Sequence, residues 1–216
     1  MEKTASALKR KIKNREAKIG VIGLGYVGLP LAVEFADAGF QVTGIDLDSR
    51  KVKGIRAGRS HVEDVPDAVL APMVAEGKLR AQSHYRGCGK ADALLISVPT
   101  PLRKTKDPDI SYIVAAVDQI GPQLRKGQLV VLESTTYPGT TEEIIVPTMF
   151  RNGLEVGREV FVAFSPERID PGRSDYVLRN TPRVIGGVTL ACQQLAAALY
   201  GCIVDRVATV RPGVWP

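Results

Sequence analysis

Apolar residues in this chain gather into short runs, separated by longer stretches in which they recur every three or four positions. Ile19-Gly20-Val21-Ile22, Gln41 to Ile45, Ala93-Leu94-Leu95-Ile96-Ser97-Val98, Leu129-Val130-Val131-Leu132 and Val160-Phe161-Val162-Ala163-Phe164 read as strands. The run at 93–98 is apolar almost throughout, as a central parallel strand covered on both faces must be. Shorter strands are expected near Leu79-Arg80-Ala81 and at Arg183-Val184-Ile185-Gly186. The helical stretches are 4–16, with Leu8 and Ile12 facing inward, one opening near Gly28, and 49–57, with Ser49 as N-cap and Gly58 beyond its end. Others fall around Val69 to Val74, over 111–121, from Thr140 onward, and over 189–200. This alternation predicts an α/β fold, a doubly wound, Rossmann-like parallel sheet with right-handed crossovers. Residues 1–17 form a short basic leader, expected to be helical, 18–210 one domain, and 211–216 an atypical tail.

The bulk properties narrow the class. No apolar run reaches the length needed to span a bilayer, and the first seventeen residues are polar and basic, without the apolar core of a secretory signal. Cys88, Cys192 and Cys202 are odd in number and lack metal-ligand spacing, which suits a reducing cytoplasm and predicts no metal site. The net charge of +6 sits largely in Lys3, Lys9, Arg10, Lys11, Lys13 and Arg15 of the leader. With no aromatics interleaved, this cluster reads as a solvated helix face, and no nucleic-acid or membrane partner is expected. The excess positive charge would help gather anionic ligands such as nucleotide sugars.

Candidate chemistry begins in the first strand-turn-helix. Gly23-Leu24-Gly25-Tyr26-Val27-Gly28 is a G-x-G-x-x-G segment between a strand and a helix, the context in which it signals dinucleotide binding. Gly23 permits the tight turn, Gly25 lets main-chain N–H groups approach a pyrophosphate, and Gly28 removes a Cβ where helix meets strand. The phosphates would face the helix N-terminus. Asp46 ends the second strand eighteen residues after Gly28, where an acid accepts hydrogen bonds from an adenosine ribose and repels a 2′-phosphate. NAD is therefore favoured over NADP, although Arg50 and Lys51 lie close by; their simplest reading is a solvated first turn of the next helix.

In such a sheet, ligands bind beyond the carboxyl ends of the strands, and three strand exits are unusual. Pro99-Thr100-Pro101 offers a stiff loop with a hydroxyl. Glu133-Ser134-Thr135-Thr136-Tyr137-Pro138-Gly139-Thr140-Thr141 holds more hydroxyls than N-capping by Thr140 accounts for. Ser165-Pro166-Glu167-Arg168-Ile169-Asp170-Pro171-Gly172 places Glu167 just past a buried strand. There it is either a proton-transfer or water-orienting group, or one half of a Glu–Arg pair closing a turn.

Taken with Gly23-Leu24-Gly25-Tyr26-Val27-Gly28-Leu29-Pro30 and Val98-Pro99-Thr100-Pro101-Leu102, these loops closely resemble the UDP-glucose/GDP-mannose dehydrogenase family, especially its UDP-N-acetylhexosamine branch. The resemblance runs from about Asn14 to Val210, and the basic leader is similar to that branch's. It implies two-step, NAD-linked oxidation of a nucleotide-sugar C6 alcohol to a carboxylate, through a cysteine-bound aldehyde and a thioester. It also implies NAD contacts from Gly23, Gly25, Tyr26, Val27, Gly28, Asp46, Arg50, Pro99, Thr100, Ser134 and Thr135. Thr135 would position water or substrate, Glu167 would move a proton in thioester hydrolysis, and Glu167 with Arg168 would meet the substrate.

The family's nucleophilic cysteine lies in a glycine-rich G-x-G-G-x-C-x-x-K-D segment of a C-terminal domain, and none of Cys88, Cys192 or Cys202 has such surroundings. The family's central helical domain, which carries a lysine, an asparagine and much of the dimer interface, has no counterpart in this sequence either. Arg211-Pro212-Gly213-Val214-Trp215-Pro216 departs from the family pattern, as a frameshift, an early stop or a cloning boundary would make it. The sequence thus predicts an N-terminal, NAD-binding portion of a nucleotide-sugar 6-dehydrogenase, inactive without its other half. A stand-alone NAD-binding module or a non-functional remnant is the alternative.

Overall fold

The computed structural model describes residues 3–104, 107–166 and 178–213. Helix α1 (Lys3–Lys13) precedes β1 (Lys18–Ile22), α2 (Gly28–Asp37), β2 (Gln41–Ile45), α3 (Ser49–Arg56), α4 (Asp67–Ala75) and β3 (Leu79–Gln82). The second half runs β4 (Ala93–Ile96), α5 (Ser111–Ile120), β5 (Leu129–Leu132), α6 (Val146–Arg151), β6 (Phe161–Phe164), β7 (Arg183–Gly187), α7 (Leu190–Tyr200) and β8 (Val207–Thr209). All eight strands form one sheet in the order β3-β2-β1-β4-β5-β6-β7-β8.

Alternation along the central strands builds two cores. Ile19 and Val21, Ala93 and Leu95, Leu129 and Val131, Phe161 and Ala163 all face one side, under α1, α2 and α7. Ile22, Leu94 and Ile96, Val130 and Leu132, Val162 and Phe164 face the other, under α5 and α6. Helix α1 joins the first core through Ala5, Leu8 and Ile12, one stripe at helical spacing. Its basic residues cover the outer face, where Lys3, Lys9, Arg10 and Lys13 are exposed. Arg15 stops this helix in a left-handed conformation (φ 62°) and is held by the Ile12 and Ala38 carbonyls and the Phe40 ring.

The structure corrects several expected details. β7 pairs antiparallel with β6, so the sheet is mostly and not wholly parallel. Its first residue, Arg183, is thereby placed at the edge where β6 ends. The strand predicted through Val98 closes at Ile96, with Ser97 N–H still donating to Ile22 before Pro99, which has no N–H, enters the turn. Asp48, not Ser49, caps α3, accepting from the Arg50 N–H. Thr140 stands at the N-cap position but its side chain does not cap: it has helical dihedrals, and its hydroxyl donates to the Tyr137 carbonyl. The helix expected there opens as one wide π turn, Thr141–Ile145, and narrows into α6, because Pro147 cannot donate the bond a regular turn requires. β8 was not expected, being three residues long and largely exposed.

At the amino-terminal edge of the sheet, Asp92 ties the leader to the core. Its carboxylate accepts from Lys11 Nζ (2.8 Å), the Lys18 N–H (3.0 Å) and Arg125 Nη2 (2.9 Å), with the side chain only 5% exposed. Burial alone would raise its pKa, but these donors outweigh burial and hold it below the usual carboxylate value. A depressed folded pKa contributes stability above the unfolded value, about 3.9, that is lost as pH falls through the folded one. Asp92→Asn is expected to cost about 1–2 kcal/mol at pH 7. The deficit relative to the unsubstituted chain should shrink below about pH 4 when both are unfolded in urea.

Candidate functional site

The carboxyl ends of β1, β2, β4 and β5 open into a cavity of about 760 Å³. Its walls bring together Gly23, Gly25, Tyr26 and Val27 of the glycine turn, Asp46 and Leu47 after β2, Pro99 and Thr100 after β4, and Ser134 and Thr135 after β5. Residues more than a hundred positions apart meet here because parallel strands all end on one edge.

The glycine turn is built from main-chain approaches that side chains would block. Gly23 has φ +90°, and a Cβ on it would lie 2.2 Å from the Ser97 carbonyl oxygen. A Cβ on Gly28 would lie 1.8 Å from the Gly23 carbonyl oxygen, so Gly28 sits behind the turn as a packing contact and does not line the cavity. Gly25 has open space where its Cβ would be. The N–H groups of Gly25, Tyr26 and Val27 have no protein acceptor among the described residues. An open corner with unused donors at a helix start fits a pyrophosphate.

Asp46 faces this corner. One oxygen accepts from the Leu24 N–H (2.9 Å), the other from the Asp48 N–H (2.9 Å), and Lys51 Nζ lies 3.5 Å away. The side chain is 12% exposed, so a carboxylate with lone pairs to spare stands at the cavity wall. Arg50 lies elsewhere: its guanidinium pairs with Asp48, is 89% exposed and does not line the cavity. Lys51, read from sequence as a solvated residue, lines the wall beside Asp46.

Beyond β4 and β5, Ser134 donates to the Val98 carbonyl (2.7 Å) and locks the two strand exits together. The hydroxyls of Thr100 and Thr135 line the same space and have no protein partner among the described residues. Thr136 and Thr140 instead bond each other (2.6 Å) and shape the turn into the following helix. Glu167 and Arg168, with the rest of their loop to Gly172, lie outside the described residues.

Three contributors carried no legible signal as site residues. Tyr85 and Tyr112 line the cavity from a loop and from α5, with no motif around either. Burial raises the pKa of the Tyr85 phenol. Glu133 belongs to a motif whose hydroxyls drew attention, yet it is wholly buried and lines the cavity. Its carboxylate accepts from Arg183 Nη1 at 3.1 Å, and both side chains are at most 2% exposed. Arg183 also reaches the Pro166 carbonyl and stacks over Tyr200. The only signal for this pair was an acid at the exit of a fully buried strand, which needs a cation.

Fold and cavity together define a dinucleotide-binding α/β domain. Residues 17–204 match the model of the UDP-glucose/GDP-mannose dehydrogenase family, NAD binding domain. The chain is 38% identical over 184 residues to UDP-N-acetyl-D-mannosamine dehydrogenase of Pyrococcus horikoshii, covering 85% of this chain and 44% of that protein. It is 35% identical over 187 residues to UDP-N-acetyl-D-glucosamine 6-dehydrogenase of Pseudomonas aeruginosa, covering 86% and 43%. Among solved structures, UDP-D-ManNAc dehydrogenase from Pyrococcus horikoshii superposes with a TM-score of 0.85 at 36% identity, covering 90% of this chain and 47% of that one. A ternary complex of GDP-mannose dehydrogenase from Pseudomonas aeruginosa gives 0.80 at 29%, covering 90% and 46%. The chain belongs to the UDP-glucose/GDP-mannose dehydrogenase family and carries its NAD-binding domain. It spans about half the length of the curated relatives it matches.

Two substitutions probe the site. Asp46→Ala should narrow the preference for NAD over NADP by about tenfold or more, since a charge-assisted acceptor is lost and the repulsion of a 2′-phosphate goes with it. The ratio of the two affinities, measured by calorimetry, checks this; an unchanged ratio counts against the ribose assignment. Arg183→Met removes a buried cation from the Glu133 carboxylate and should cost about 3–5 kcal/mol in urea unfolding, with partial recovery in the Arg183→Met, Glu133→Gln double variant.

Proposed function

We propose that this chain is the cofactor-binding portion of a nucleotide-sugar 6-dehydrogenase acting on a UDP-N-acetylhexosamine or UDP-glucose. The observation that carries the proposal is the single cavity in which the glycine turn, Asp46, Thr100 and Thr135 meet. The N–H groups of Gly25, Tyr26 and Val27 would hold the pyrophosphate, and Asp46 would accept from the adenosine ribose hydroxyls. Pro99, Thr100, Ser134 and Thr135 would bound the end of the cofactor nearer the substrate. Arg50, paired with Asp48 and away from the cavity wall, has no cofactor contact in this assignment. When bound, NAD supplies the acceptor for a hydride leaving the sugar's C6. Thr135, exposed on the cavity wall, would orient the reacting group or a water molecule. Glu167 and Arg168 keep the roles the family resemblance implies, proton transfer and substrate contact.

The second oxidation needs a thiolate, and this chain's cysteines are poorly placed to provide one. None of the three lines the cavity. Cys88 is buried, and burial pushes its thiol up to about 11. Cys192 is buried behind β6, accepting from the Val162 N–H and the Thr189 hydroxyl. Cys202 is half-buried beside Arg15, and burial raises its pKa despite that cation. In this reading the nucleophile, part of the sugar-binding surface and much of the oligomer contact belong to residues beyond these 216, and the chain works in the cytoplasm, where unpaired thiols persist. Among the described residues no helix is long and apolar enough to cross a membrane, and no cluster of three potential ligands is arranged for a metal.

Two measurements test the proposal. A hundredfold excess of NAD over its Kd should raise the melting temperature by about 5–10 °C, and NADP should do so less. The purified chain should show no NADH formation with UDP-N-acetylglucosamine, UDP-N-acetylmannosamine or UDP-glucose. Turnover that persists after all three cysteines are replaced by serine would sink the division of labour described here.

A further inference from the structure

Leu24, between the first two glycines of the turn, is held at every group it possesses. Its side chain is fully buried against Gly44, where even a Cβ on that glycine would come within 2.7 Å of it. Its N–H donates to Asp46 at 2.9 Å. Its carbonyl oxygen lies 2.7 Å from Nε2 of His61. A carbonyl can only accept, so Nε2 carries the hydrogen and donates it.

His61 comes from the connection between α3 and α4, far from any motif in the sequence. That connection is itself anchored. Ser60 Oγ bonds both the carbonyl and the N–H of Val62, the Ser60 N–H donates to Asp67, and Val62 and Val65 are buried in the core. The imidazole is therefore delivered to Leu24 by a fixed turn. It does not line the cavity, so it reaches the glycine turn from behind.

The consequence follows from the planar trans peptide, in which the C=O of one residue and the N–H of the next point in opposite directions. The chain has no cis peptide bonds among the described residues. Pinning the Leu24 carbonyl toward His61 aims the Gly25 N–H the opposite way, and that N–H has no protein acceptor among the described residues. We infer that His61 is a positioning residue for the dinucleotide. By fixing the Leu24–Gly25 peptide plane, it orients the Gly25 N–H toward the cofactor's pyrophosphate before binding, sparing the rotation a free peptide would lose. The inference rests on NAD occupying this cavity. It adds a member to the site that touches neither cofactor nor substrate.

The test compares the full 216-residue chain with His61→Ala and His61→Gln, titrated calorimetrically with NAD and with ADP-ribose, which keeps the pyrophosphate and lacks the nicotinamide. His61→Ala should weaken both ligands by about three- to tenfold. The melting temperature of the ligand-free chain should move little, since the imidazole is exposed. His61→Gln, which retains an N–H donor at the end of its side chain, should recover most of the affinity. Unchanged NAD affinity in His61→Ala overturns the inference. So does an equal loss in His61→Gln, which would assign the effect to the ring's bulk. A fall in ligand-free stability large enough to account for the lost affinity overturns it as well, in favour of a purely structural role. If the unsubstituted chain binds neither ligand, it is the cofactor assignment that fails.

Discussion

The glycine contact at the site that leaves least room for a side chain is the one between α2 and the turn that precedes it. Gly28 rests so near the Gly23 carbonyl that any side chain there would occupy the same space. That contact brings the start of α2 down onto the exit of β1, where the N–H groups of Gly25, Tyr26 and Val27 have no protein acceptor among the described residues. The other supports of the turn reinforce the same geometry: Ile45 accepts from the Gly23 N–H, Asp46 from the Leu24 N–H, and His61 holds the Leu24 carbonyl. An anion site made of main-chain N–H groups works only if the main chain is immobile before the anion arrives. In the turn proposed to hold the pyrophosphate, the packing of Gly28 and the bonds of Asp46 and His61 all hold the main chain.

Two buried acids divide the sheet's electrostatics between its edges. Asp92, at the amino-terminal edge, gathers Lys11, Arg125 and the Lys18 N–H, and its work is to hold the leader and the strand starts together. Glu133, at the carboxyl edge, is paired with Arg183 and forms part of the cavity wall. Arg183 also reaches Pro166, so one guanidinium joins the exits of β5 and β6. The arginine stands at this edge because β7 runs against the parallel direction and begins where the other strands end. The first of the two reversed strands, β7 with β8 parallel beside it, thus brings a cation to the side of the sheet where ligands bind.

Much of this architecture was legible in the chain. Continuous apolar runs marked β4, β5 and β6, because strands covered on both faces have no polar side to show. The glycine spacing and the acid after β2 marked one end of the cavity, and the loops after β4 and β5 marked the other. Apart from the reversed direction of β7, the misjudged details were local ones. Ser49 and Thr140 looked like caps by residue type, yet Asp48 and a π turn before Pro147 supplied the actual geometry. Hydroxyl and carboxylate caps are interchangeable in sequence, and only the path of the backbone selects among them.

What the sequence determined by itself is the order of elements, the burial of the central strands and the dinucleotide fingerprint, because each depends on residues that are neighbours in the chain or repeat with a fixed period. Tertiary structure alone decided that Lys51 turns to Asp46, that Arg50 turns away to Asp48, that Arg183 neutralises Glu133, and that His61 reaches the Leu24 carbonyl. Such pairings depend on where a strand ends or which way a loop folds back. A polar side chain gives no sign along the chain of which distant partner it will meet, since any partner of suitable charge would satisfy it equally well.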